Sequence, residues 1–124
     1  MVKLLWIGLG GFAGSIARYL VSRLNNSIDF LAIPLGTLLV NVLGSFIIGL
    51  LTGIASKSPL LTLELRLFLM VGFCGGFTTF SSFTNENLTL LHNGQILPIF
   101  LYTGASIFFG FIAVYLGYVT SNLL

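Results

Sequence analysis

The sequence predicts an all-α membrane protein: one domain of four transmembrane helices, the third broken at its middle. Three observations carry this expectation; assembly as an antiparallel (dual-topology) homodimer is expected on the further ground of the charge distribution. Only 6% of the 124 residues are charged and the mean hydropathy is +1.08, where an ordinary soluble domain carries about 25% charged residues. Four apolar runs each reach the ~20 residues needed to cross a ~30 Å hydrocarbon core. Within the third run, Gly72 to Thr84 packs three glycines and six hydroxyl or thiol residues into thirteen positions, a poor helix in apolar surroundings.

The first span runs from about Leu4 to Leu24. Its Gly10 and Gly14 form a small-xxx-small pair, continued by Ala17 and Arg18, and small residues let membrane helices approach closely. Arg18 on that face either points into protein or a wet vestibule or snorkels to the headgroups; the sequence favours neither. The second span, Pro34 to Ile54, opens on a proline, a favoured first-turn residue. Thr37, Asn41 and Ser45 form one polar stripe at i, i+4, i+8. Asn41 must hydrogen-bond, either to a neighbouring helix as structural glue or to a passing solute, and taken alone the first is commoner. Gly36, Gly44, Gly49 and Gly53 add close-packing surface.

The third span, Leu65 to Leu91, would be about 40 Å long as a straight helix, more than the core requires. A break at Gly75-Gly76 shortens it and frees carbonyls before the break and N–H groups after it. Helix ends carry partial charges, so a mid-membrane break offers ion sites, and unwound backbone survives at that depth only inside protein or along a polar cavity. Phe80 and Phe83 share one face and Ser81 and Thr84 another. Phenylalanines at this spacing are by default core or lipid-facing, but the hydroxyls of Thr78, Thr79, Ser81 and Ser82 have no use against lipid. Glu86 is the one acid within a span and a functional candidate for that reason, unless it simply pairs with a base such as Arg18. His92 to Gln95 is a tight turn. The fourth span, Ile96 to Leu123, holds Tyr102 and Ser106 one turn apart, with Gly110, Ala113 and Gly117 continuing a small-residue seam.

Other classes are excluded. Five scattered basic residues and a net charge of +2 make no nucleic-acid surface. Cys74 and His92, each alone, form no disulfide and no metal cluster. There is no nucleophile–base pair and no phosphate loop, so no enzyme is expected. Lys3, Leu4 to Phe12 and Ala13-Gly14-Ser15 imitate a signal peptide, yet cleavage would discard one of four comparable spans, so the segment is expected to be retained. Lys3, Lys57 and Arg66 fall on one side of the membrane and Arg18 and Arg23 on the other. A bias of three to two specifies orientation poorly, and a chain inserted both ways can form an antiparallel dimer around a two-fold axis.

Gly36-Thr-Leu-Leu-Val-Asn41, the core Gly-Gly-Phe-Thr-Thr-Phe80-Ser-Ser-Phe83, Tyr102-Thr-Gly-Ala-Ser106 and an upstream Gly-Gly-Phe-Ala-Gly-Ser-Ile-Ala-Arg18 together resemble the small dual-topology fluoride channels, the Fluc or CrcB family. The likeness covers the whole chain in order, departing at Thr84-Asn85, where serine and a small residue are commoner. It implies an antiparallel homodimer in the cell inner (plasma) membrane, with fluoride as the permeant ion and two pores. Phe80 and Phe83 would line the pore, Asn41 would donate to the ion, and Ser81, Thr84, Tyr102 and Ser106 would form a polar track. Arg18 and Glu86 would lie in a vestibule. A structural sodium ion would be held by the Gly75 and Thr78 backbone carbonyls of both subunits. The main rival, a small proton-coupled multidrug antiporter, needs a titratable acid in the substrate cavity, usually in the first span, and none is there.

Overall fold

The computed structural model describes residues 1–124 and is helical throughout, with no strand. Helix α1 (Val2–Ser22) and the short α2 (Leu24–Ser27) make the first span, and α3 (Leu35–Lys57) the second. The third contains α4 (Leu63–Arg66), a π-helix (Leu67–Cys74), α5 (Gly75–Phe77) and α6 (Ser81–His92), and α7 (Ile96–Ser121) is the fourth. All four spans are long and apolar enough to cross a bilayer. The protein is a multi-pass membrane protein.

The spans pack as two close pairs, and glycine determines both. A Cβ on Gly10 would collide with the Phe68 carbonyl oxygen and one on Gly14 with that of Phe73, so α1 lies directly on the backbone of the third span. In the other pair Gly49 faces the Val114 carbonyl and Gly117 the Phe46 carbonyl, which seats α3 on α7. Both contacts follow the small-residue seams of the sequence and gain dispersion energy where apolar lipid supplies no hydrophobic drive. Only 20 of the 124 residues are buried. One chain therefore encloses little, and most of its apolar side chains face outward. The α6–α7 turn closes with Gly94 at φ 72°, a left-handed position suited to glycine, while Gln95 N–H donates to the Leu90 carbonyl.

The third span is interrupted, but not where the sequence places the break. Gly75 and Gly76 stay helical, and the chain unwinds at Thr78, which is extended at φ −89° and ψ 157°, before α6 restarts at Ser81. The reason is steric: Gly72 and Gly76 are needed for contact, since a Cβ on either would press on the backbone of Ile7 or Gly11 in α1. Extended backbone, by contrast, suits a threonine. The remaining boundaries fall close to expectation, with Pro34 standing just before the first helical residue of α3.

Candidate functional site

Unwinding frees backbone groups, and two side chains from other spans take up some of them. Arg18 Nε donates to the Gly76 carbonyl at 2.9 Å. Asn41 clamps Thr79 from both ends: its Oδ1 accepts the Thr79 N–H at 2.8 Å and its Nδ2 donates to the Thr79 carbonyl at 3.0 Å. The Ser82 N–H finds the Thr79 hydroxyl at 3.1 Å. Left without a protein partner are the carbonyls of Gly75, Phe77 and Thr78 on one side and the N–H groups of Phe80, Ser81 and Phe83 on the other. The break thus presents bare oxygens at the end of α5 and the positive N-terminal end of α6.

Of these residues Gly75, Thr78, Phe80 and Phe83 border a groove of ≈ 510 Å³ whose walls also include Asn41, Ser45 and Ser106. Ser106 Oγ is buried and has no hydrogen-bond partner. Phe80 stands at the rim, 76% exposed, with its ring centroid 5.9 Å from that of Phe83. Phe83 in turn meets Tyr102 edge-on at 4.9 Å and 61°. Behind the rings Tyr102 is fully buried and its hydroxyl donates to Glu86 Oε1 at 2.7 Å. Glu86 Oε2 accepts from Thr37 Oγ1 at 2.7 Å and from Asn25 Nδ2 at 3.2 Å. Beyond Glu86 lies a second cavity of ≈ 340 Å³ under the first loop.

Among the sequence-predicted residues, Asn41, Phe80, Phe83 and Ser106 come together on the groove with Gly75 and Thr78. Tyr102 sits one ring behind it. Ser81 and Thr84 are exposed on α6 outside this groove, with Thr84 Oγ1 donating to the Ser81 carbonyl at 3.0 Å. Arg18 points into protein, one of its expected placements: its half-buried side chain donates from Nε to the Gly76 carbonyl at the helix end before the break. Glu86 is not paired with Arg18, because three uncharged donors on α2, α3 and α7 already satisfy its carboxylate. Asn41 acts as interhelical glue through two of its polar groups, with one amide hydrogen to spare. Sequence reasoning missed Asn25. It reads as a turn former, and nothing in its local context signals a partner 61 positions away.

The Gly75 and Thr78 carbonyls are unpartnered and both residues line the groove, whereas the carbonyls of Gly76 and Thr79 are taken by Arg18 and Asn41. An anion in the groove would have in its walls Ser106 and the rings of Phe80 and Phe83, whose edges carry the positive part of the aromatic quadrupole.

A protein named fluoride-specific ion channel FluC from Chlorobium chlorochromatii is 47% identical over 119 residues, 96% of this chain and 92% of the relative. Its namesake from Gloeothece citriformis is 47% identical over 117 residues, 94% of each chain. The one from Flavobacterium psychrophilum is 40% identical over 124 residues, the full length of both. The family model described as CrcB-like protein, Camphor Resistance (CrcB), matches residues 5–118. On that match and those identities, the chain belongs to the CrcB-like family.

Proposed function

We propose that this protein is a fluoride-selective passive channel of the cell membrane, acting as an antiparallel homodimer with two pores and a central structural sodium ion. The observation that carries the reading is the groove at the break, where an N–H helix end, the unpartnered Ser106 hydroxyl and the rings of Phe80 and Phe83 converge in a chain 47% identical to a channel of that name.

Fluoride is small and strongly hydrated, so a pore must replace its water with donors yet bind weakly enough for release. Phenylalanine edges attract an anion without the trap of a fixed lysine charge. The hydroxyl of Ser106 and the spare N–H of Asn41 supply conventional donors. Export needs no chemical step: fluoride crosses membranes as the neutral acid, dissociates at cytoplasmic pH, and leaves through the channel as the negative potential drives the anion outward.

The groove is open along one face of the chain, so closing it into a pore calls for a second copy. The near-balanced charge of the two loop sets supports antiparallel insertion. The Gly75 and Thr78 carbonyls of two copies would give four oxygens to a sodium ion, which would supply a positive charge at the centre and satisfy bare mid-membrane backbone.

The test is efflux from liposomes holding the purified protein, followed with fluoride and chloride electrodes. Fast fluoride flux with negligible chloride flux is expected. Equal flux of the two anions, or none above protein-free liposomes, would overturn the proposal.

A further inference from the structure

The geometry points to Asn25, in the short helix after the first span, as a positioning residue for the Glu86–Tyr102–Phe83 wall of the pathway; this rests on the channel reading above. Asn25 uses its whole side-chain amide. Its Oδ1 accepts from the N–H groups of Gly36 at 2.7 Å and Thr37 at 3.2 Å, which caps the start of α3 from across a loop. Its Nδ2 donates to Thr37 Oγ1 at 3.1 Å and to Glu86 Oε2 at 3.2 Å. One planar group thus joins the end of the first span, the start of the second and the carboxylate of the third. An amide held at four points has no rotational freedom, and neither does the carboxylate it grips.

What Asn25 fixes reaches the groove through short steps. Glu86 holds the Tyr102 hydroxyl at 2.7 Å, and the Tyr102 ring meets Phe83 edge-on at 4.9 Å. The stack runs from the groove, which Phe83 lines, to the cavity under the first loop, which Asn25 and Glu86 line. A Glu86 free to turn would release Tyr102 and let the Phe83 ring tilt away from its neighbour. Asn25 therefore sets the pore wall without touching the permeant ion.

The two halves of its role can be separated. Asn25→Asp keeps the acceptor oxygen that takes both N–H groups at the start of α3, where a negative charge is welcome, but sets an oxygen instead of an N–H against Glu86. Two ionised carboxylates in contact repel, and a proton taken up between them on acidification puts an O–H donor back between positions 25 and 86. The other titratable groups around Glu86 are Tyr102 on α7 and Asp29 in the first loop.

The experiment measures fluoride efflux from liposomes holding the wild type, Asn25→Asp or Asn25→Asp/Glu86→Gln between pH 5.5 and 8.5, with protein-free liposomes run alongside and thermal midpoints measured in detergent. For Asn25→Asp we expect a wild-type midpoint, efflux down about tenfold at pH 8.5, and recovery on acidification. The double variant restores a donor–acceptor pair of opposite sense and should lose the pH dependence. Wild-type efflux from Asn25→Asp at every pH would overturn the positioning role, as would a pH-independent loss that follows a lowered midpoint. A wild type that passes no fluoride would instead sink the channel reading.

Discussion

Replacing Asn41 by leucine tests what holds the third span open. The two side chains are close in size, so packing changes little, but the Thr79 N–H loses its acceptor at 2.8 Å and the Thr79 carbonyl its donor at 3.0 Å. Each buried group left unsatisfied costs about 1–3 kcal/mol. Asn41 is half-buried on a groove that water can enter, so the pair should cost about 2 kcal/mol rather than the ~6 kcal/mol upper limit, roughly a 30-fold shift toward the unfolded protein. Asn41→Asp supplies the internal control. It retains the acceptor for the Thr79 N–H, loses only the donor, and adds a negative charge to the groove. Thermal unfolding in detergent should therefore rank wild type above Asn41→Asp and that above Asn41→Leu, while fluoride efflux falls in both variants. A leucine variant as stable as the wild type, or more stable than the aspartate variant, would refute the account of Asn41 as the clamp.

Phe80→Ile and Phe83→Ile should each lower fluoride efflux by about tenfold, the ~1.4 kcal/mol scale of an aromatic-edge contact, with the dimer intact on size exclusion; undiminished efflux in both would remove them from the pore. Gly14→Val sets a branched side chain against the Phe73 carbonyl and should lower stability by about 1–3 kcal/mol, as overpacking does. An unchanged thermal midpoint would mean that α1 is not held on the third span by that contact. Purification in a large organic cation instead of sodium should destabilise the proposed dimer, and indifference to the exchange would count against an ion at the Gly75 and Thr78 carbonyls.

Much of the fold is legible because its causes are local or periodic. Apolar runs mark the four spans, Gly94 marks the last turn, and the glycine rows at Gly10 and Gly14 and at Gly110 and Gly117 mark faces that turn out to be helix contacts. The polar stripe of Thr37, Asn41 and Ser45 is legible as a stripe, but not its division of labour. Thr37 serves Glu86, Asn41 serves Thr79, and Ser45 merely donates to the Asn41 carbonyl one turn back. Periodicity says that a face is polar; which atom meets which is decided by another helix.

The position of the break makes the same point more sharply. Local propensity nominates Gly75-Gly76, because glycine is the weakest helix former apart from proline. In a bilayer, however, the governing quantity is the cost of backbone groups without partners, and a helix opens where partners are available from elsewhere. Arg18 reaches Gly76 from 58 positions away and Asn41 reaches Thr79 from 38. Together they bracket Phe77 and Thr78, and the unwinding falls between them. Glycine at 72 and 76 then has a different role, bringing α1 close enough for the arginine to arrive. The carbonyls and N–H groups that these two side chains do not reach stay unpartnered, so the same long-range contacts that end the helix also select which backbone atoms are left bare.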